Sequence, residues 1–379
     1  MISSFHSKTP SDWRAAAAKA SRGERLSAAE GEALYACEDL PLLSALATSR
    51  RREINGDKVF YNRNFHIEPT NVCVNHCVFC SYRRQAGAAG SWEYSIDDIL
   101  ELCRPYAGQP VTEVHIVGGV HPERDIYFYA SLLRAVKQCL PQVTIKAFTA
   151  VEVDYMARKA GWSYEKSLSL LKENGLEAMP GGGAEIFDDT VRRRLCPDKT
   201  GADAWLQIHE TAHRLGIRTN ATMLFGHIET PAHRIDHLLR LRELQDKTGG
   251  FDAFIPLKYK SRNNLLGVSG EVSTEEVLRN FAVCRLVLDN IPHLKAYWPM
   301  LGKEVMQRAL SFGADDIDGT IDDSTKIYSM AGADEQHPTL TVEELENYVS
   351  AAGYRAVERN TFYNGEWRVE NGEWAGAGG

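Results

Sequence analysis

Three cysteines fall within the run Asn71-Val-Cys73-Val-Asn-His-Cys77-Val-Phe-Cys80-Ser-Tyr82, spaced C-x3-C-x2-C with Phe79 just ahead of the third. Three thiolates can hold three irons of a 4Fe–4S cluster, whereas an electron-transfer cluster takes four cysteines. Three leave one iron open to a small molecule, and chemistry can start there. Zinc is the competing reading, with His76 as a fourth ligand. Zinc motifs, however, pair two short knuckles far apart, and no second knuckle is present. The remaining cysteines, Cys37, Cys103, Cys139, Cys196 and Cys284, are scattered singly and read as small buried hydrophobes.

Other runs carry residues suited to a ligand site. Ile116-Val-Gly118-Gly119-Val120-His121-Pro122 ends a strand-like segment, and paired glycines there either admit a ligand to the backbone or form a plain turn. Met179-Pro-Gly181-Gly182-Gly183-Ala-Glu185 offers consecutive amides as an anion nest, or simply a flexible turn. Glu152 follows a third strand-like segment and is either a polar ligand contact or a solvated loop carboxylate. The run Asn220–Glu229 places His227 and Glu229 past the end of another strand, where they read as candidate catalytic groups or as structural polar residues.

These residues need a scaffold that brings loop ends together. Strand-like segments at Phe65–Thr70, Glu113–Gly118, Thr144–Thr149, Leu176–Met179, Thr219–Phe225, Ala253–Tyr259, Leu294–Trp298 and Asp315–Thr320 alternate with helical ones. Helix starts are marked at Ser27, Ser95, Ser273 and Thr341, each with an acid three residues on. The span from Phe65 to Ile321 matches the roughly 250 residues of eight βα units. The expectation is an α/β chain with a (β/α)8 TIM-type barrel over residues 61–325. A helical extension (1–60) precedes it, and a helical segment with a loose tail (326–379) follows. An open doubly wound sheet is the alternative. In a barrel, the cysteine run occupies the first βα loop, on the face where active sites are built.

The cysteine spacing, with the Gly-Gly segment after the second strand, resembles the radical S-adenosylmethionine (SAM) superfamily. Phe65–Cys73, GGVHP, Pro180–Asp189, Ala221–Thr230 and Ser311–Thr320 together resemble its menaquinone-pathway branch, the aminodeoxyfutalosine synthase family. Dehypoxanthine futalosine cyclases and the deazaflavin FO synthase subunits are siblings; Glu68-Pro69-Thr70-Asn71 leans toward the synthases. The resemblance implies a 4Fe–4S cluster on Cys73, Cys77 and Cys80 that cleaves SAM to methionine and a 5′-deoxyadenosyl radical. It implies addition of that radical to 3-[(1-carboxyvinyl)oxy]benzoate, with bicarbonate released and the adenosyl group kept in the product. It assigns SAM contacts to Tyr82, to the backbone of Gly118, Gly119 and Val120 (an acidic residue is usual in place of Val120), and to Glu152 and Glu185. Two substrate carboxylates call for Arg83, Lys258, Arg262 and the amides around Gly182. Tyr259 and Trp298 would help close a dry pocket, or pack in the core. An electron donor such as flavodoxin or ferredoxin is implied, and the chain is expected as a monomer or homodimer.

Composition sets outer bounds. Of 379 residues, 44% are hydrophobic and 25% charged, with a net charge of −8, the profile of a globular enzyme. No long basic run suggests a nucleic-acid partner. No apolar run reaches the ~20 residues of a membrane span, and the first residues lack the order of a signal peptide. A cytoplasmic enzyme is the resulting expectation; an iron–sulfur electron carrier and a structural zinc protein are the readings from other classes.

Overall fold

The computed structural model describes residues 12–321, 326–333, 336 and 338–364, and the backbone of 367–370 and 373–376. Three helices come first: α1 (Trp13–Ala20), α2 (Ala28–Tyr35) and α3 (Leu40–Asn55). Ser27 and Glu30 form the expected reciprocal cap of α2, leaving its buried Gly31, Ala33 and Leu34 to pack against later helices. A strand, β1 (Lys58–Asn62), follows.

The body of the fold is a parallel sheet of seven strands in chain order: β2 (Asn64–Ile67), β3 (Glu113–Ile116), β4 (Thr144–Ala147), β5 (Ala178–Met179), β6 (Arg218–Phe225), β7 (Phe251–Lys258) and β8 (His293–Leu294). Between them run α4 (Ile96–Cys103), α5 (Ile126–Cys139), α6 (Ala150–Ala160), α7 (Tyr164–Glu173), α8 (Asp189–Leu195), α9 (Ala202–Arg214), α10 (Pro231–Thr248) and α11 (Thr274–Val287). Short helices α12 (Trp298–Leu301) and α13 (Lys303–Ala309) precede β9 (Asp316–Gly319). After it come α14 (Ile327–Met330), α15 (Val342–Ala351) and β10 (Arg355–Glu358). This is a TIM-like α/β fold of the expected class.

The closure differs from a uniform eight-stranded ring. β9, the expected eighth strand, pairs in parallel with β1 rather than β2, and meets the end of the seven-stranded sheet through the Lys295–Asp316 bridge. Two backbone bonds support that junction: Asp315 N–H to Leu294 O (3.0 Å) and Ala296 N–H to Asp316 O (2.8 Å). The reason lies at Arg63, the single residue between β1 and β2. Its carbonyl accepts from Thr112 N–H (2.8 Å), and its guanidinium reaches Glu358 on β10 (2.9 Å). One residue thus hands the chain from one sheet to the other. β10 was not expected in a helical C-terminal segment; it pairs with β1 from Lys58↔Arg355 to Tyr61↔Glu358. The expected loose tail contains a two-stranded antiparallel hairpin, β11 (Trp367–Glu370) and β12 (Glu373–Gly376).

Side chains alternate along the barrel strands. Phe65, Ile67, Val114, Ile116, Ile145, Met179, Ala221, Met223 and Phe254 are almost wholly buried in the core. The residues between them are polar: His66 pairs in register with His115, and His115 with Lys146; Asn220 and Thr222 continue the row on β6. Parallel strands covered on both faces are normally continuously apolar. Here one face packs and the other lines a cavity.

Candidate functional site

The cysteine run leaves β2 and is fastened by backbone bonds. Cys73 N–H donates to Arg84 O (3.2 Å), Arg84 N–H to Asn71 O (2.9 Å), and Val74 N–H to Val120 O (2.9 Å). Cys73, Cys77 and Cys80 all line one deep cavity at the strand ends. No trio of His, Cys, Asp or Glu among the described residues is gathered closely enough to hold a single metal ion. Three thiolates that each take a different iron of a cluster need not meet at one point, and three sulfurs on one cavity wall fit such a group. Burial raises the pKa of Cys73 and Cys80. Cys77 is raised further by a hydrogen bond with Cys196, and then by burial. The thiols are therefore held protonated, and metal binding must release those protons. Cys196, read from sequence as a lone core residue, is indeed buried but stands beside Cys77.

The glycine segments bring backbone close to the same cavity. A side chain at Gly118 would sit 2.8 Å from Thr70 O, and one at Gly119 would collide with Val72 O. Gly119 N–H donates to Thr70 O (2.7 Å), locking this segment to the cysteine loop. A side chain at Gly181 would lie 2.7 Å from Ala221, while Gly183 adopts φ +88°. Gly181 O accepts from Thr222 Oγ1 (2.6 Å) and Gly182 O from Trp205 Nε1 (3.2 Å). Glu185, at φ +49°, lines the cavity and pairs with Lys199 at 2.5 Å. Tyr82 also lines it, its hydroxyl donating to Thr70 O (3.0 Å).

Below these loops the polar strand faces form a floor. Lys146 pairs with Glu113 at 2.7 Å and Lys295 with Asp318 at 2.5 Å; Arg359 pairs with Asp316 at 2.5 Å. His66 and His115 meet edge to face at 4.6 Å. Burial depresses His66 to about 4, against the opposing pull of Asp318 and Glu113. Burial, reinforced by His66, pushes His115 well below the ordinary histidine range. Both imidazoles are neutral at pH 7. Burial alone would raise Glu113, but Lys146, Arg359 and Lys295 outweigh it and keep the carboxylate ionised.

Arg83, Gly182, Lys258 and Tyr259 line the cavity, as do Gly118, Gly119 and Val120. Five expected site residues do not. His227 and Glu229 stand at the end of β6, yet both side chains are fully buried away from it. Gly226, at φ +88°, turns the chain so that Glu229 folds back onto Gly226 N–H (2.6 Å) and His227 N–H (2.9 Å) and pairs with Arg234. His227 Nε2 bonds Leu224 O (2.9 Å). Burial would raise Glu229, but His227, Arg234 and the Gly226 amide hold it well below the carboxylate range; the pair is a structural latch. Trp298 is buried with Nε1 on Gly319 O (3.0 Å), and Arg262 is exposed. Glu152 is buried behind the glycine segment: it caps α6 through Thr149 N–H (2.7 Å) and accepts from Gly118 N–H (3.3 Å). It braces the loop rather than facing the cavity.

Sequence reasoning missed the floor: His66, Glu68, Glu113, His115, Lys146, Lys295 and Asp318, with Lys199, Lys260, Tyr297 and Tyr328 around it. The signal was available. Polar residues at every second position of buried parallel strands mark an inward-facing lumen.

Comparison with known proteins agrees with this geometry. The profile described as "Radical SAM superfamily" matches residues 67–241, and the one described as "CofH/MqnC C-terminal region" matches 248–371. The chain is 43% identical to an aminodeoxyfutalosine synthase of Thermus thermophilus over 92% of this chain and 94% of that one. It is equally identical to one from Streptomyces coelicolor, over 91% and 92%. A 5-amino-6-(D-ribitylamino)uracil–L-tyrosine 4-hydroxyphenyl transferase of Methanocaldococcus jannaschii is 38% identical over 88% and 95%. Among solved structures, methylornithine synthase superposes with a TM-score of 0.70 at 18% identity, covering 90% of this chain and 97% of that one.

Proposed function

The chain belongs to the radical SAM superfamily, and on that premise we propose that it is an aminodeoxyfutalosine synthase, acting on 3-[(1-carboxyvinyl)oxy]benzoate and SAM. The observation that carries this is the 43% identity to two such synthases across nearly the whole chain, with the cysteine loop on the cavity wall. Cys73, Cys77 and Cys80 would hold a 4Fe–4S cluster, which would supply the electron that cleaves SAM to methionine and a 5′-deoxyadenosyl radical.

The chain's own residues do the rest. Gly118, Gly119 and Val120 present backbone to SAM, Tyr82 borders it, and Glu185 (oriented by Lys199) is placed for a ribose hydroxyl. The substrate brings two carboxylates, which a net-negative protein must meet with local positive charge. Most cavity lysines are neutralised one for one. Lys258 and Lys260 instead share a single carboxylate, Glu271, at 2.7 and 3.4 Å. This surplus positive charge at the end of β7 holds the benzoate carboxylate. Leu224, Ile255, Leu257, Tyr297, Met300 and Tyr328 supply apolar walls. They exclude water from a radical and hold the alkene in a near-attack pose about 3–3.5 Å from C5′.

The test is an anaerobic assay of the reconstituted chain with SAM, a reductant and the enolpyruvyl benzoate. Mass spectrometry should find an adenosyl-bearing adduct with methionine and bicarbonate. Free 5′-deoxyadenosine stoichiometric with turnover, and no adduct mass, would show that the radical only abstracts hydrogen, as in the sibling cyclase.

A further inference from the structure

Glu68 is the first residue past β2, only 5% exposed, and it lines the cavity. Its carboxylate is engaged by backbone from the far end of the chain. Lys326 N–H donates to both carboxylate oxygens, at 3.0 and 3.1 Å, and Ile327 N–H donates to one of them at 3.3 Å. These amides open α14, a helix of four residues with no side-chain cap of its own. The first amides of a helix have no partner within it, and a single turn does not hold itself together in water. Where α14 lies is therefore decided by what grips it from outside.

The grip comes from two sides. Beside Glu68, the Trp92 indole N–H donates to Glu68 O at 2.9 Å, and the Lys326 ammonium sits 4.9 Å from the centre of the Trp92 ring. At the other end, Asn263 Nδ2, in the loop after β7, donates to Met330 O at 2.9 Å. The helix thus spans from the end of β2 to the loop after β7. Ile327 and Tyr328, with Ala331 just beyond, line the cavity, and Tyr328 packs on Tyr297 with ring centroids 5.1 Å apart. All four residues of α14 are half-buried, so it is a strap over the cavity rather than part of the core.

We propose that Glu68 is a positioning residue: it fixes α14, and through α14 it sets the wall against which the apolar part of the substrate packs. The inference deepens the synthase reading and rests on the substrate occupying this cavity. A carboxylate suits the task because a charged acceptor makes bonds roughly twice as strong as a neutral one, and this one serves two adjacent amides. Without it the Lys326 and Ile327 amides return to water and the strap loosens. Part of the binding energy then goes into reordering it, which weakens substrate binding.

Two measurements on the full chain test this. Hydrogen–deuterium exchange read by mass spectrometry reports the contact. Steady-state kinetics of the reconstituted enzyme with SAM and the enolpyruvyl benzoate report its consequence. Glu68→Ala should speed exchange across residues 326–331 about tenfold and leave exchange in α5 and α11 unchanged. It should raise KM for the enolpyruvyl benzoate about tenfold, with kcat and iron content close to wild type. Glu68→Gln keeps one acceptor oxygen and should fall between wild type and Glu68→Ala in both readouts; it carries the test alone if Glu68→Ala does not fold. Wild-type exchange at 326–331 in these variants would overturn the proposal. So would faster exchange throughout the barrel, because Glu68 would then serve general stability. A fall in kcat at unchanged KM would overturn it too, because Glu68 would then act on the chemistry directly. If the wild type forms no adduct, the synthase reading fails, whereas faster exchange confined to 326–331 still upholds Glu68 as the anchor of α14.

Discussion

At the mouth of the cavity, three cysteines and two glycine runs present sulfur and backbone, joined by short-range hydrogen bonds between neighbouring loops. At the floor, His66, Glu113, His115, Lys146, Lys295 and Asp318 come from separate strands or the segments just beyond them, and hold one another as charged or ring pairs. The mouth has spare capacity: open thiols, close backbone, lysines that outnumber their acid. The floor has almost none, since each cation has a carboxylate. A ligand site needs the first kind of construction, and a rigid base that fixes the strand ends needs the second.

The difference can be broken from either side. The largest effect belongs to the mouth: Cys77→Ala should lose iron and product formation together, measured by iron and sulfide analysis beside the anaerobic assay. Cys284→Ala, in the core of α11, should keep both. At the floor, Lys295→Met removes the close partner of buried Asp318 and leaves it only Arg359 at 3.9 Å, at a cost of about 3 kcal/mol in denaturant unfolding. The double variant with Asp318→Leu should recover most of that. If the double variant is no better than the single, the floor is not a set of mutually neutralising pairs.

Gly119→Ala tests close backbone approach. Its methyl would collide with Val72 O, moving the cysteine loop, and a displacement near 1 Å can cost on the order of 100-fold in rate; wild-type turnover would refute the requirement. A smaller effect is expected of Glu152. Burial raises its carboxyl to about 7, so the folded state binds this proton more tightly than the unfolded state. The stability it contributes is full below about pH 4.5 and is lost as pH rises toward 7. Glu152→Gln keeps a capping side chain and should flatten that part of the stability–pH curve. The least effect on turnover is expected of His227→Ala. Its side chain serves Leu224 O and Glu229, so stability should fall by about 1–3 kcal/mol while cluster loading and product yield hold.

The mouth was legible in the sequence and the floor was not, for a physical reason. The three cysteines come from one loop, so Cys73, Cys77 and Cys80 are a local pattern; Gly118-Gly119 and Gly181–Gly183 are local too. The floor takes residues from many strands, and its pattern exists only across register, as in His66↔His115 and His115↔Lys146. Alternation within β2, β3 and β6 is a local hint of it. His227 and Glu229 failed in the opposite way. Their position past β6 was read correctly, but the turn at Gly226 reversed the side chains, and a positive φ is not written in residue type alone. The course of the chain from Phe65 to Phe254 was readable because each βα unit repeats one pattern. The β1–β9–β10 sheet was not, because it joins segments from opposite ends of the chain.

That small sheet sets a timetable. β1 lies near the start of the chain, and both its partners lie beyond residue 315. During synthesis, the strands up to β8 can leave the ribosome and align while β1 still lacks both neighbours. Contacts of such sequence separation form slowly, and unpaired edges of partly made sheets invite association with other chains. The cysteine loop is therefore translated early, whereas the small sheet that ties β1 to the end of the fold forms only when its last strand arrives. Completion of the fold is thus deferred to a nearly complete polypeptide.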